Sequence, residues 1–446
     1  MKVLLTRLLS VLAFFLTLTA TAAQSAEKGE PLVVHEWGTF TALQDGAGNV
    51  IQGVNTDDEP VPSFVYDVGG SVTSVGSELS PVFASRARMT KGSIPRLHPD
   101  VTMRLETPVV YFYLPEGEKN RKLDVEVAFK GGWLSQFYPF AEANITYNDV
   151  ATKRITDETR GTLVWKALEI GAGGDGPQTE DTVWLAPRKV RSAPVRTANG
   201  ESEKFLFYRG VGNLHGQLTA KRSGEGIALL GDEKVNRIWH VDVRSDGAVA
   251  WQKDVSHKRA FGHFKKEDYG QVNLPDLKKD MQEALVEDGL FADEAAAMLE
   301  TWEHSYFKAP GERVFYLVPQ SWTDEILPIR FSVPAQVTRV MIGRIELISA
   351  GQNEALHRMR RASTDGMKAF IDKSVAGTGN WNLYMDVASG RKPVSALGAE
   401  VPPIYRDYLR LGRFRDALLL DENARNPDSS LASFIDQNEI FMHKFP

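Results

Sequence analysis

Between residues 31 and 251 the chain is written in short runs of β-branched and aromatic residues, broken by clusters of Gly, Asp and Asn. Such runs pack well on a pleated, buried surface, and the clusters between them supply turns, so this half of the chain is committed to strands. Residues 33–41 (VVHEWGTFT) form one run, closed by Asp45-Gly46-Ala47-Gly48-Asn49. Residues 107–114 (TPVVYFYL) form another. Leu123, Val125, Val127 and Phe129 then alternate with polar or small residues, which predicts a half-exposed strand and an antiparallel hairpin with 107–114. Further strands are expected at 163–170, 182–185, 205–208, 235–243 and 248–251, the last two joined through Ser245-Asp246-Gly247. The Gly-rich stretch 171–177 reads equally as a domain linker and as a long loop.

Near residue 272 the period changes from two to that of a helix. Pro275 suits the first turn of a helix carrying Leu277, Met281, Ala284 and Leu285, which stops at Gly289. A second helix presents Phe291, Ala295, Met298, Leu299, Trp302 and Tyr306. Strand signal returns at 313–318 and 337–348, and the last hundred residues are again helical. There LGRFRDAL is similar to the inter-helix turn of a tetratricopeptide repeat, but one copy does not make a solenoid, and a plain helical hairpin fits better. The fold expected is mainly β with α: one or two antiparallel sandwich-like domains over 31–260, a helical insertion over 261–310, returning strands over 311–350 and a helical region over 351–446.

The first two dozen residues concern address. Lys2 and Arg7 precede an apolar run over 8–18, and Ala20-Thr21-Ala22 fits the pattern cleaved by signal peptidase. Residues 1–22 therefore read as a signal peptide, which places the mature chain in the periplasm or outside the cell. No later stretch has the length of a membrane span. Removing residues 1–22 moves the formal charge from −6 to about −8, the wrong sign for a nucleic-acid partner. The absence of cysteine excludes disulfides, thiolate metal sites and a cysteine nucleophile.

Chemistry is expected near the start of the mature chain. His35, Asp57 and Asp58 offer the mixed nitrogen and oxygen donors that Zn²⁺ or Ca²⁺ takes, with His98 as a further ligand and Glu36 and Glu106 as acid–base groups. Alternation along a strand opposes part of this, since His35 and Glu36 point to opposite faces. Arg86, Arg88, Lys91, Arg96, His98 and Arg104 form a cationic segment suited to a carboxylate or phosphate. Trp133, Phe137, Tyr138 and Phe140 offer a platform for sugar rings or a core. No G-x-S-x-G elbow, P-loop or dinucleotide fingerprint occurs. Three functions follow: a metal-assisted hydrolase, a non-catalytic binder of glycans or envelope components, and an interaction protein docking through its C-terminal helices. HEWGTFT, NTDDEP, ETPVVYFY and RVFYLVP together resemble a family of exported bacterial proteins of uncharacterised function, and the resemblance implies export but no activity. Mass spectrometry of the protein from its native host is expected to find a mature start between residues 23 and 27; an intact Met1 would overturn the export reading.

Overall fold

The computed structural model describes residues 30–57, 61–67, 74–75, 97–146, 154–224, 226–235, 237–254, 258–270, 273–376, 380–388, 392–442 and 444. The first run becomes the thirteen-residue strand Leu32–Gln44 (β1). It is followed by Met103–Tyr113 (β2), Arg121–Lys130 (β3), Gly132–Tyr138 (β4), Arg160–Ile170 (β5), Leu206–Gly212 (β6), Ile238–Val243 (β7) and Val249–Lys253 (β8). Two helices intervene, Asn273–Glu287 (α1) and Ala292–Thr301 (α2), before Gly311–Val318 (β9), Gln320–Ile326 (α3) and Ala335–Leu347 (β10). These strands belong to one sheet, whose spine runs β5-β4-β6-β2-β1-β10-β9-β7-β8. The fold is mainly β with helices, and the C-terminal region is helical. Among the described residues no helix is long and apolar enough to cross a membrane.

β1 lies at the centre. It pairs antiparallel with β2 and, along its full length, parallel with β10, from Leu32↔Ala335 to Gln44↔Leu347. One face of the central strands carries Val34, Phe40, Val110, Phe112, Met341 and Ile345, packed with Leu123, Val127 and Trp165 of β3 and β5. The opposite face divides in two. At one end Trp37, Val109, Tyr111, Trp239 and Val340 meet Leu277, Met281, Met298 and Trp302 of the helical pair. At the other, Leu43, Val211 and Trp133 meet the C-terminal helices. Those helices are Ala350–Met359 (α4), Met367–Ala376 (α5), Trp381–Ala388 (α6), Pro403–Arg410 (α7), Arg415–Arg425 (α8) and Ser429–Gln437 (α9). Their ends carry the expected chemistry: Ser349 accepts from Gln352 N at 3.2 Å, and Asp428 from Ser430 N at 2.9 Å.

Two sequence expectations change, and one reading left open is decided. β2 does not form a hairpin with β3; its neighbours are β1 and β6, while β3 pairs with β5 and with Ile329–Phe331. The reason is visible in composition, because residues 108–112 of β2 are apolar on both faces, as a central strand requires, and β3 alternates. Residues 182–185 form a helical turn instead of a strand. The 171–177 stretch is a loop, since Ile170 before it and Val195 after it pair within one sheet. The hairpin of β7 with β8 forms as expected.

Trp302 is buried against Tyr306, with the ring planes 8° apart at 5.7 Å. Trp302→Ala should cost about 3–5 kcal/mol in denaturant melts; a loss below about 1 kcal/mol would show that this stripe does not hold the helical pair to the sheet.

Candidate functional site

A β-bulge decides where the central charges go. Thr107 adopts φ 48°, a left-handed conformation that a β-branched residue avoids and that sits immediately before Pro108. The registers of β2 with β1 and with β6 both slip at this point. Before the bulge Met103 and Leu105 face the sandwich interior, so Arg104 and Glu106 face the helices. After it the parity is inverted, and Val109 and Tyr111 face the helices. Gly38 stands opposite: a Cβ there would lie 3.1 Å from Pro108 Cα, a tight contact that glycine avoids where the bulge approaches β1. Gly210 serves likewise on β6, where a Cβ would lie 2.4 Å from Trp133 O.

The bulge thus delivers charge to the seam between the two helix-covered clusters. Arg104 pairs with Asp57, and its Nε lies 3.7 Å from Glu106 Oε1. Thr41 Oγ1 donates to Glu106 Oε2 at 2.8 Å. Arg413, from the turn between α7 and α8, pairs with Glu106 and donates from Nε to Thr56 O at 2.7 Å. Arg209 of β6 donates to Thr107 Oγ1 at 3.1 Å and approaches Asp57 at 4.0 Å. Burial pulls the Arg209 guanidinium below the ordinary arginine range, and the charges of Arg104 and Arg413 add to this against Asp57 and Glu106. Arg104 Nη1 is buried and has no hydrogen-bond partner among the described residues.

The charge continues across the sheet as a belt. Thr41 stands opposite Arg104 on one side and Arg344 of β10 on the other. Arg344 donates to Glu346 at 2.5 Å, and Arg313 of β9 binds the same carboxylate at 3.1 Å. Tyr306 covers this end, with its hydroxyl on Thr39 and its ring 5.5 Å from the Arg344 guanidinium. Five adjacent strands contribute: β6, β2, β1, β10 and β9.

The residues expected to bind metal do not meet. His35 Nδ1 lies 2.8 Å from Glu294 of α2, which also accepts from Tyr113 OH at 2.7 Å and Phe291 N at 2.7 Å. Asp57 is bound to Arg104, whose partner Thr41 is six residues, about 20 Å, along β1 from His35. His98 is buried, with its amide on Asn55 and its Nδ1 accepting from Asp100 N at 3.1 Å. Asp58 lies outside the described residues, as do Arg86, Arg88, Lys91 and Arg96. Among the described residues no group of three His, Asp or Glu side chains is placed to hold a metal ion. Glu36 is neither at the surface nor with His35. It points into the sandwich, bound by Arg339 and Tyr208. Trp133, Phe137 and Tyr138 are core residues, and Phe140 is exposed. Of the expected residues, Asp57, Glu106 and Arg104 come together.

Arg209, Arg313, Arg344 and Arg413 escaped the sequence reading. The signal available was an arginine inside an otherwise apolar strand, as in LFYRGVG and VMIGRIEL. No protein-family model matches the chain, and no curated protein matches it.

Charge is buried on the sandwich side too, where Glu312 of β9 meets His240 at 2.8 Å and Arg222. Burial pushes the Glu312 carboxyl up, but hydrogen bonds from His240 and Arg222 outweigh it and hold the carboxyl down to about 2. A depressed carboxyl stabilises the fold fully above its ordinary value of 4.5 and loses that contribution as pH falls toward 2. Between about pH 5 and 2 the loss should approach about 3 kcal/mol, and Glu312→Gln should remove that part of the pH dependence in melts.

Proposed function

We propose that the chain is an exported protein whose buried belt recognises a small ligand through a carboxylate or phosphate group. The observation that carries this reading is the convergence of Arg104, Arg209 and Arg413 on Asp57 and Glu106 beside the strained Thr107. Guanidinium forks match planar oxyanions, and such groups bind through two parallel N–H bonds. A merely structural role is a poor account of the cluster. Buried ion pairs repay their desolvation weakly, and apolar residues of equal volume hold a core as well. Backbone strain beside them, about 1–3 kcal/mol at one residue, is of the kind that functional sites retain. A hydrolase built on a metal at His35 and Asp57 is less well supported, because Glu294 and Arg104 occupy those side chains. Stacking of glycans on Trp133 and Tyr138 is likewise disfavoured, since both rings are in the core.

The test is titration calorimetry of the mature chain with inorganic phosphate and with citrate, at low and high salt. Binding should weaken with salt, as the neutralisation of an anion by arginine requires. Arg209→Lys keeps the charge and loses the fork, and it should weaken binding roughly tenfold to a hundredfold, the worth of one charged hydrogen bond. A folded Arg209→Lys protein that binds like the wild type would overturn the reading, as would a wild type that binds neither anion.

A further inference from the structure

A second site lies in a cleft of about 560 Å³ between the sheet and the C-terminal helices, bordering the belt at Gly311 and Gly412. One wall is the β7–β8 turn with Arg244, beside Asp242 and Tyr269; the facing wall is one side of α4, from its start to Arg358, and the end of α7 with Arg410. The volume falls in the range of small-molecule sites, about 300–1,000 Å³.

The charges of the lining are balanced. Three arginines (Arg244, Arg358, Arg410) face three acids (Asp242, Asp246, Glu354). That balance disfavours a strongly charged ligand. The scarcity of large apolar side chains disfavours a lipid or an aromatic one.

The polar groups are also held in place. The Arg244 guanidinium lies 3.3 Å from the centre of the Tyr269 ring, making a flat wall of donors. Tyr269 OH donates to Asp242 Oδ2 at 2.6 Å, which fixes that carboxyl and leaves its second oxygen to accept. Across the cleft Arg358 and Arg410 share Asp407, at 2.9 Å and 2.8 Å. Arg244 engages Tyr269, is otherwise exposed, and forms no ion pair with a carboxylate among the described residues. Ser349 and Gln352 are engaged in capping α4 and in holding Leu411 O, and they give the wall its shape.

We propose that this cleft binds a neutral, hydroxyl-rich ligand of saccharide size, whose vicinal hydroxyls bridge the Arg244 fork and the Asp242 carboxylate. A hydroxyl both donates and accepts, so adjacent sugar hydroxyls satisfy a fixed guanidinium and a fixed carboxylate together. Pro310 and Leu409 offer the apolar area that the C–H face of a sugar ring covers. This proposal does not rest on the belt, which takes an anion.

Glucose, galactose, N-acetylglucosamine and cellobiose should be titrated separately into the mature chain by calorimetry, with hydrogen exchange measured on the saturated protein. At least one should bind, with slower exchange across residues 243–246 and at residue 269. Arg244→Ala and Asp242→Asn, each checked for a wild-type melting curve, should weaken that binding at least tenfold. Arg244 is exposed, so its replacement should leave the fold intact. The proposal fails if none of the four sugars binds, if both folded variants bind as the wild type does, or if protection falls elsewhere. It fails equally if phosphate alone binds in an Arg244-dependent way, since the cleft would then be an anion site.

Discussion

The parallel pairing of Leu32–Gln44 with Ala335–Leu347 ties the first described strand to one three hundred residues later, over thirteen consecutive positions. A parallel pair cannot be closed by a tight turn, so everything between must leave the sheet's centre and return. The outer strands, the helical pair and β9 all hang on that closure. Because β1 also pairs with β2, both its edges and both its faces are occupied. Its sequence must then satisfy two cores at once: Val34, Phe40 and Ala42 face the sandwich, while Trp37 and Leu43 face the helices.

Polar residues in such a strand are expensive unless partnered, and β1 carries several. His35 finds Glu294, Glu36 finds Arg339 and Tyr208, Thr39 finds Tyr306, and Thr41 finds Glu106. The partners come from four other parts of the chain, so the strand's polarity is satisfied only in the assembled fold. The His35 contact has a structural consequence: it fastens the start of α2 to β1 and holds the helical pair at one end of the face. The belt lies beyond it, where the helical pair stops and the C-terminal helices begin.

Much of the fold was legible. The strand runs, the β7–β8 hairpin and the stripe of Met281, Met298, Leu299 and Trp302 follow from periodicity, because burial on one face imposes a repeat on the side chains. The opposition of His35 and Glu36 followed from alternation alone. Strand partners were less legible. The local hairpin expected for β2 and β3 lost to pairings with β1 and β6, since the apolar run of residues 108–112, buried on both faces, gains more at the centre of the sheet than beside a half-exposed neighbour.

For the site, the sequence by itself marked the carboxylates Asp57 and Glu106 and the basic Arg104, whereas the arginines at 209, 313 and 344 stand in it only as charges set into apolar strands. It also determined that Thr107 precedes a proline and that Gly38 has no side chain to obstruct it. Only the tertiary structure decided that these belong together. The bulge at Thr107 inverts the faces of β2, a register event whose effect depends on the strands either side, and Arg413 arrives from the far end of the chain. His35 and Asp57, close in sequence, are held apart because an extended strand carries its residues away from one another by about 3.3 Å each, whereas Arg209 and Glu106 are brought together because neighbouring strands lie less than 5 Å apart.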